Sequence, residues 1–174
     1  MTSEEDRVVW QGRFITTKVK GKWEYVSRAR GLRAAVILAI DEHDHVILVE
    51  QYRVPLGRNC IELPAGLVGD HDDTAGEHDT CAAARELEEE TGFRAGRLEI
   101  VGEFWSSPGM VSESFTLVRA HDLEKVSEGG GTDGENITVH RVPRAAITDF
   151  IAERRKRGDA IDVKLLLLLG PQLL

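Results

Sequence analysis

The chain has 174 residues, of which 41% are apolar and 30% charged, and its 30 acidic and 22 basic residues give a formal net charge of −8. This length and apolar content predict a single domain over residues 1–174 with a sizeable core. The acidic balance argues against nucleic acid as a partner, and the leucine-rich run at residues 165–169 is too short to cross a membrane. An acidic N-terminus without an apolar signal segment, together with only two cysteines, predicts a cytoplasmic protein without a disulfide framework.

Strand patterns dominate the first 65 residues. Three short amphipathic segments, the last two joined by a turn at Lys20-Gly21-Lys22, predict an antiparallel meander at residues 7–10, 14–19 and 23–27. Continuous apolar runs predict two strands that are covered on both faces, at residues 34–40 and 46–52. A shorter strand is predicted at residues 61–63, ending at Pro64-Ala65-Gly66.

A polar, acidic loop then leads to a central helix predicted over residues 80–91. Asp79 is expected to cap the N-terminus of this helix and Gly92 its C-terminus. In the rest of the chain, strands are predicted at residues 98–104, 115–119 and 137–142, with a mobile glycine-rich loop at residues 128–135. Two helices are predicted at residues 143–157 and 163–169. Early strands, one central helix and late helices predict an α/β (α+β) fold with a mixed central sheet flanked by helices.

Three glutamates in the central helix form the main chemical signal of the sequence. Glu86, Glu89 and Glu90 stand at positions i, i+3 and i+4, so a helix places them within a single arc of roughly 100°, and Glu88 points elsewhere. Residues 70–90 hold nine acids and one base, which leaves 21 of each sign elsewhere and concentrates the net charge in this segment. A divalent cation such as Mg²⁺ prefers carboxylate oxygens. The alternative interpretation is a solvated acidic helix face.

This segment resembles the signature of a known enzyme family, the Nudix hydrolases. Glu77, seven further residues and then Arg85-Glu86-Leu87-Glu88-Glu89-Glu90-Thr91-Gly92-Phe93 are similar to the Nudix box. The leading glycine of the box is replaced by His71, so about five residues are inserted, either between Gly66 and Glu77 or after an Asp72 that fills the first Glu position. The resemblance implies an α/β/α sandwich and cleavage of nucleoside diphosphates linked to another group, with a divalent metal.

Further segments resemble the ADP-ribose pyrophosphatase branch of that family. They are Ala29-Arg30-Gly31, Glu50-Gln51-Tyr52-Arg53, Ser107-Pro108-Gly109-Met110-Val111-Ser112-Glu113 and Gly158-Asp159-Ala160-Ile161-Asp162. The resemblance implies a nucleoside diphosphate sugar as substrate, bound by Arg30, Arg53, Leu67, Met110 and Glu113. It also implies a homodimer in which the N-terminal strands of residues 1–30 pack against the partner.

The same resemblance implies the roles of the acidic residues. Mg²⁺, with Mn²⁺ as an alternative, is expected to be held by the Ala65 carbonyl and by Glu86, Glu89, Glu90 and Glu135. The catalytic candidates are Glu89, Glu135, Glu113 and Asp133, and the identity of the general base stays open. The predicted reaction is hydrolysis of ADP-ribose or a related nucleoside diphosphate sugar to a nucleoside monophosphate and a sugar phosphate. GDP-mannose or another sugar nucleotide, and a Nudix-fold sensor without catalysis, are the alternatives.

Several other residues have two interpretations. Arg30 and Arg53 either grip the diphosphate or form salt bridges to Glu24 or Glu50. Arg85 is expected to fix the helix and its loop through Glu77 or Glu89. Core packing is favoured over stacking on a nucleotide base for the aromatic side chains of Trp10, Phe14 and Trp23. Four residues in or near the inserted loop are interpreted as ordinary polar loop residues, and less favourably as a second soft-metal site: His71, Asp72, His78 and Cys81.

Overall fold

The structure is a computed structural model that describes residues 5–29, 32–69, 76–132 and 134–170. It is a mixed α/β fold, as predicted. The strands in chain order are β1 (Arg7–Gln11), β2 (Ile15–Lys20), β3 (Trp23–Arg28), β4 (Arg33–Ala39), β5 (His45–Arg53), β6 (Arg58–Glu62), β7 (Ala65–Val68), β8 (Phe93–Trp105), β9 (Ser114–Lys125), β10 (Thr138–Pro143) and β11 (Ala160–Ile161). The α-helices are α1 (Asp79–Thr91) and α2 (Ile147–Lys156).

The strands form three sheets. The N-terminal sheet is the predicted antiparallel meander, in the order β1-β2-β3. The other two sheets have four strands each, in the orders β10-β5-β6-β11 and β7-β4-β9-β8. Each of these contains one parallel pair, β6 with β11 and β4 with β9, so both are mixed sheets.

The core consists of two clusters that lie on opposite faces of β4. Val36 and Leu38 belong to the cluster that includes residues of β5, β6, β9 and α2, whereas Ala35 and Ile37 belong to the cluster that packs against α1. Because successive side chains of a strand point to opposite faces, an uninterrupted apolar strand serves both clusters. The predicted double-sided burial of this strand is confirmed.

No aromatic residue of the N-terminal sheet is part of either core cluster. Trp10, Phe14 and Trp23 are 56%, 61% and 64% exposed. The prediction that these three side chains pack in the core is therefore wrong for the single chain. In the described residues, the backbone hydrogen bonds that attach the meander to the rest of the molecule lie along one edge of β3, and no other layer covers most of the surface of these three side chains.

The ends of α1 differ in part from the prediction. The helix has His78 at its N-cap position and Asp79 as its first residue, so the prediction of Asp79 as the cap is wrong. Asp79 instead accepts hydrogen bonds from Arg33 and Thr116, at 2.8 and 2.5 Å, because two neighbouring strands offer it stronger donors. Gly92 ends the helix with φ of 71°, as predicted for a left-handed C-terminal cap.

Some short elements were missed or assigned differently from sequence. β7 lies in the segment expected to be a loop, β11 was not predicted, and β8 begins at Phe93 rather than at residue 98. The last predicted helix is a 3-10 helix, Val163–Leu169, and another 3-10 turn, Arg144–Ala146, precedes α2. None of the helices in the described ranges has the length and apolar character that a bilayer crossing requires.

One buried carboxylate at the β4–β5 turn makes stability depend on acid pH. Burial alone would raise the pKa of Asp41, but hydrogen bonds from Arg141 and from the backbone N–H groups of His45 and His43 outweigh it and lower the pKa to about 2. The Arg141 side chain donates from Nε and Nη2 at 3.1 and 2.5 Å. A lowered pKa means that ionised Asp41 stabilises the fold above its ordinary pKa near 3.8, and that this stabilisation is lost as the pH falls towards 2.

We expect Asp41→Asn to lower the free energy of unfolding by about 2 kcal/mol at pH 7, and by roughly half of that at pH 3. Urea unfolding at the two pH values measures the difference. Glu42→Gln is the matched control. The Glu42 carboxylate is next to Asp41 in the sequence but 84% exposed, so it should contribute less than about 0.5 kcal/mol to the free energy of unfolding at either pH. An equal loss at both pH values would show that Asp41 does not act through its charge.

Candidate active site

Helix α1 separates an apolar face from an acidic face. Ala82, Ala83 and Leu87 are fully buried against β4 and its neighbours. On the acidic face, Arg85 contacts Glu86 and Glu89 through Nη1, at 2.8 and 3.3 Å, and Glu77 through Nη2 at 3.6 Å. Arg85 therefore ties the helix to the preceding loop through Glu77 and pairs with Glu89 within the helix, as predicted.

The acidic face borders a cleft of about 570 Å³, a volume suited to a small ligand. The cleft is bounded by α1, by β7 and by residues from β3, β5 and β6. Its charged side chains are Arg28, Arg53, Glu62, Glu86, Glu90, Glu113, Glu135, Asp162 and Lys164. Acidic and basic groups thus surround one cavity, although they come from segments far apart in the chain.

Glu90 is the most deeply buried carboxylate of the cleft, with 4% of its surface exposed. Its Oε2 accepts a hydrogen bond from the Ala65 N–H at 3.0 Å. The pKa of Glu90 is raised to about 8, first by burial and then by the charges of Glu86 and Glu135, against the lowering effect of the Ala65 hydrogen bond and of the Arg53 charge. The negative charge at this point is therefore under-compensated by the protein itself.

Glu86 passes directly over the backbone of β7. A Cβ atom added at Gly66 would lie 1.9 Å from Cδ of Glu86, far inside van der Waals contact. Glycine at position 66 is thus required for Glu86 to keep its present path into the cleft. From the sequence, Pro64-Ala65-Gly66 is recognised as the end of a strand, and the contact between Gly66 and Glu86 was not predicted.

Glu89 does not share the cleft with the other two helix glutamates. Its side chain is 39% exposed and lines a neighbouring depression with Arg85, Ser127 and Gly129. In the described residues, no three His, Cys, Asp or Glu side chains are arranged as a ready-made metal site. The second soft-metal site weighed above involves His71 and Asp72, which lie outside the described residues.

The glycine-rich loop is anchored to the end of α1. The N–H groups of Gly130 and Gly131 donate to the carbonyl oxygens of Glu90 and Glu89, at 2.9 and 3.0 Å. Glu135 lines the cleft, and its carboxylate accepts a 2.7 Å hydrogen bond from the Thr132 N–H. The loop predicted to be mobile is thus held by backbone hydrogen bonds along part of its length, and Asp133 lies outside the described residues.

The arginine candidates have different outcomes. Arg53 lines the cleft and binds Glu62 through Nε and Nη2 at 2.6 and 2.8 Å, and this interaction raises the pKa of its guanidinium. Its partner is therefore Glu62, which sequence reasoning missed, and not Glu50, which contacts His140 and Arg154 elsewhere. Arg30 lies outside the described residues.

The loop from Ser107 to Glu113 contributes one of its two predicted residues to the cleft. Glu113 lines it and accepts a 2.6 Å hydrogen bond from Arg28 Nε. Met110 is 61% exposed and stands outside the lining, with its carbonyl oxygen bonded to the Val26 N–H. Leu67 and Ala65 both line the cleft from β7.

The described residues of the cleft supply oxygen donors of the type that a divalent cation prefers, although they are not arranged as a ready-made site. Glu86, Glu90 and Glu135 line one cavity, and the pKa of Glu90 is raised first by its burial and then by the charges of the other two carboxylates. Mg²⁺ and Mn²⁺ favour such oxygen donors. Arg53 and Arg28 border the same cavity, and the guanidinium group of Arg53 has the geometry that suits phosphate oxygens.

Comparison with known proteins identifies the family of this chain. A family model described as NUDIX domain matches residues 30–163. The chain therefore belongs to the Nudix family, and the resemblance drawn from residues 77–93 is confirmed.

Its individual relatives include nucleotide pyrophosphatases. The chain is 35% identical over 159 residues to the GDP-mannose pyrophosphatase of Cronobacter sakazakii, covering 87% of this chain and 77% of that protein. It is 37% identical over 95 residues to the ADP-ribose pyrophosphatase of Bacillus subtilis, covering 55% and 49%. A methanol dehydrogenase activator of Bacillus methanolicus is 37% identical over 123 residues, covering 70% and 64%. A crystal structure of an ADP compounds hydrolase superposes with a TM-score of 0.71 at 26% identity, covering 97% of this chain and 91% of that one.

Proposed function

We propose that this protein hydrolyses the diphosphate bond of ADP-ribose or a related nucleoside diphosphate sugar, with a divalent metal, to give a nucleoside monophosphate and a sugar phosphate. The observation that carries the proposal is the division of charge in one cleft. The carboxylates of Glu86, Glu90 and Glu135 share this cleft with the guanidinium group of Arg53. These groups are complementary to a diphosphate with a bound metal ion, because the phosphate oxygens bind guanidinium groups and the metal ion binds carboxylates.

The metal site in this proposal is built around α1. Glu86, Glu90 and Glu135 would hold Mg²⁺, or Mn²⁺, with the Ala65 carbonyl and Glu89 as further oxygen donors. When bound, the metal would neutralise charge on the phosphoryl oxygens and lower the pKa of a water molecule. Glu89 is the least direct of these candidates, since its carboxylate contacts Arg85 at the edge of the neighbouring depression.

The two favoured candidates for the general base are acidic residues outside α1. Glu135 and Glu113 both line the cleft and can meet a water molecule there. Glu89 and Asp133 remain weaker candidates, because the first faces away from the cleft and the second has only its neighbourhood in the sequence to support it.

Substrate binding is proposed to use the remaining predicted residues. Arg53 would bind the diphosphate after exchanging part of its contact with Glu62, and Arg30, which follows β3 in the sequence, would assist it. Leu67 lines the cleft and offers an apolar contact for the sugar or base. Met110 is a candidate only for the rim, because it points outside the cleft lining.

GDP-mannose is a second candidate substrate for a specific reason. The GDP-mannose pyrophosphatase relative is covered over 77% of its length, whereas the ADP-ribose pyrophosphatase relative is covered over 49%. The structural neighbour that covers nearly the whole chain is an ADP compounds hydrolase, and this favours an adenine nucleotide. A Nudix-fold sensor without catalysis is disfavoured by the intact Arg85, Glu86, Glu89 and Glu90.

We further propose a homodimer that forms through the N-terminal sheet, in a protein that acts in the cytoplasm. Trp10, Phe14 and Trp23 are each more than half exposed, and large aromatic side chains on a sheet are typical of interface cores. Sedimentation of the wild-type chain beside a Trp10→Ser/Trp23→Ser variant would test the dimer, which predicts a shift to monomer in the variant.

The test of the reaction is a substrate panel of ADP-ribose, GDP-mannose, UDP-glucose, NADH and coenzyme A. Release of phosphate monoesters is measured with Mg²⁺, with Mn²⁺ and with EDTA, using a Glu86→Gln variant as the inactive control. Metal-dependent turnover of ADP-ribose above the others is the expected result. Preference for GDP-mannose would keep the mechanism and change the substrate. Tight binding without turnover of any compound would contradict the enzyme and support the sensor.

A further inference from the structure

The N-terminal sheet is joined to the cleft by hydrogen bonds along one edge of β3. The Val26 N–H donates to the Met110 carbonyl and the Ser112 N–H donates to the Val26 carbonyl, both at 3.0 Å. Val26 and Val111 thereby form a parallel bridge outside the main ladders. Two residues further along β3, Arg28 Nε donates to Glu113 Oε1 at 2.6 Å.

The loop that carries Glu113 is therefore fixed from two sides. Its start is tightened by hydrogen bonds from the Met110 and Val111 N–H groups to the Ser107 carbonyl, at 3.0 and 2.9 Å. Its end runs into β9, where Ser114 pairs with Trp105 of β8. Between these points the loop is attached to β3, and in the parts of the chain that the structure describes, Arg28 is the side chain that binds the Glu113 carboxylate.

We infer that Arg28 is a positioning residue for Glu113, and that β3 serves as the element that sets this carboxylate in the cleft. The inference rests on the proposed function, in which Glu113 acts on the substrate or its water. Arg28 and Glu113 are about one-third exposed, at 31% and 28%, so the pair lies at the wall of the cleft within reach of a ligand. A carboxylate on a loop samples several rotamers, and an ion pair of good geometry selects one of them.

The charge arrangement argues for this role over direct binding of the diphosphate. The Arg28 guanidinium already donates a short, charge-assisted hydrogen bond from Nε to Glu113. While this bond is intact the Arg28 Nε–H is not available to a phosphate, and breaking it would leave Glu113 beside the substrate without a cation, next to the other carboxylates of the cleft. Like charges that meet without a counter-charge repel, so the pair is more stable than its separated members.

Activity of four variants tests the inference: Arg28→Met, Arg28→Lys, Glu113→Gln and the double variant Arg28→Met/Glu113→Gln. We expect Arg28→Met to lower kcat about tenfold with KM changed less than about threefold, because a misplaced group costs turnover rather than binding. Arg28→Lys should recover part of this loss. The double variant should be no slower than Glu113→Gln alone, because Arg28 would act through Glu113. Arg97→Met, which removes an exposed ion pair to Glu99 on β8, is the matched control and should change neither constant.

Hydrogen exchange provides a readout that does not depend on activity. The peptide over residues 106–113 is expected to exchange several-fold faster in Arg28→Met than in the wild type, with the rest of the chain unchanged. Unchanged exchange in this peptide would overturn the positioning role, even for a protein that proves to turn over none of the panel substrates. A rise in KM at constant kcat, or losses that add in the double variant, would also overturn it and would assign Arg28 to direct substrate binding. Failure of the wild type to hydrolyse any panel substrate would be a failure of the proposed function instead.

Discussion

Glu86→Gln is expected to lower kcat/KM for the preferred sugar nucleotide on the order of 10³-fold, the range typical for loss of a group that stabilises charge in the transition state. Glu86 lines the cleft beside Glu90 and Glu135, and Gln at this position keeps the shape of the side chain but removes its charge. In the proposed metal site three carboxylates would contribute to binding the cation, and two carboxylates with one amide would bind it much less tightly.

Glu88→Gln is the matched control on the same helix. Glu88 points away from the cleft and binds Arg94 through both carboxylate oxygens, at 2.9 Å each. Because this ion pair is exposed, its loss should change kcat/KM less than about twofold and stability by less than about 1 kcal/mol. Initial rates across a range of Mg²⁺ concentrations, with melting temperatures to confirm folding, measure both variants. Equal activity of Glu86→Gln and Glu88→Gln would exclude Glu86 as a metal ligand.

Gly66→Ala is expected to lower kcat/KM about 10²-fold while the protein stays folded, since a displacement near 1 Å of a catalytic group can cost that much. The added methyl group would lie 1.9 Å from Cδ of Glu86, so one of the two must move. The far end of the Glu86 side chain moves more easily than β7, which is fixed by its pairing with β4. The variant therefore removes Glu86 from the cleft without changing any acidic residue.

A double variant separates this mechanism from a general disturbance of β7. If Gly66→Ala acts through Glu86, then Gly66→Ala/Glu86→Gln should be no less active than Glu86→Gln alone. Multiplicative losses in the double variant would show instead that the methyl group damages another part of the cleft. The melting temperature of Gly66→Ala should stay within a few degrees of the wild type, because the obstacle is a flexible side chain.

Much of the fold could be predicted from the sequence because strong periodic signals coincide with the elements that form the core. The apolar run in β4 and the helical spacing of α1 specify burial directly, and both elements are where the pattern places them. β7 and β11 could not be predicted in this way. They are four and two residues long, and each becomes a strand only because a neighbouring strand offers it backbone partners.

The exposure of the N-terminal aromatic residues has a related cause. The alternation in β1 to β3 predicts strands correctly, but it does not say which surface will cover their apolar face. Trp10 and Trp23 are as apolar as residues of the core, and the topology leaves them outside it. The sequence of a strand segment does not show whether its apolar face is covered by another part of the same chain or by a partner.

The sequence by itself determined that one helix carries the acidic residues, since a rotation of roughly 100° per residue places Glu86, Glu89 and Glu90 within one arc. Only the tertiary structure decided which of them reach the cleft. Glu89 and Glu90 lie at opposite edges of that arc, and the cleft borders the side of Glu86 and Glu90. The pairs Arg53–Glu62 and Arg28–Glu113 also depend on the tertiary structure. Contacts across 9 and 85 residues are set by strand register and by the docking of β3, which no local pattern encodes.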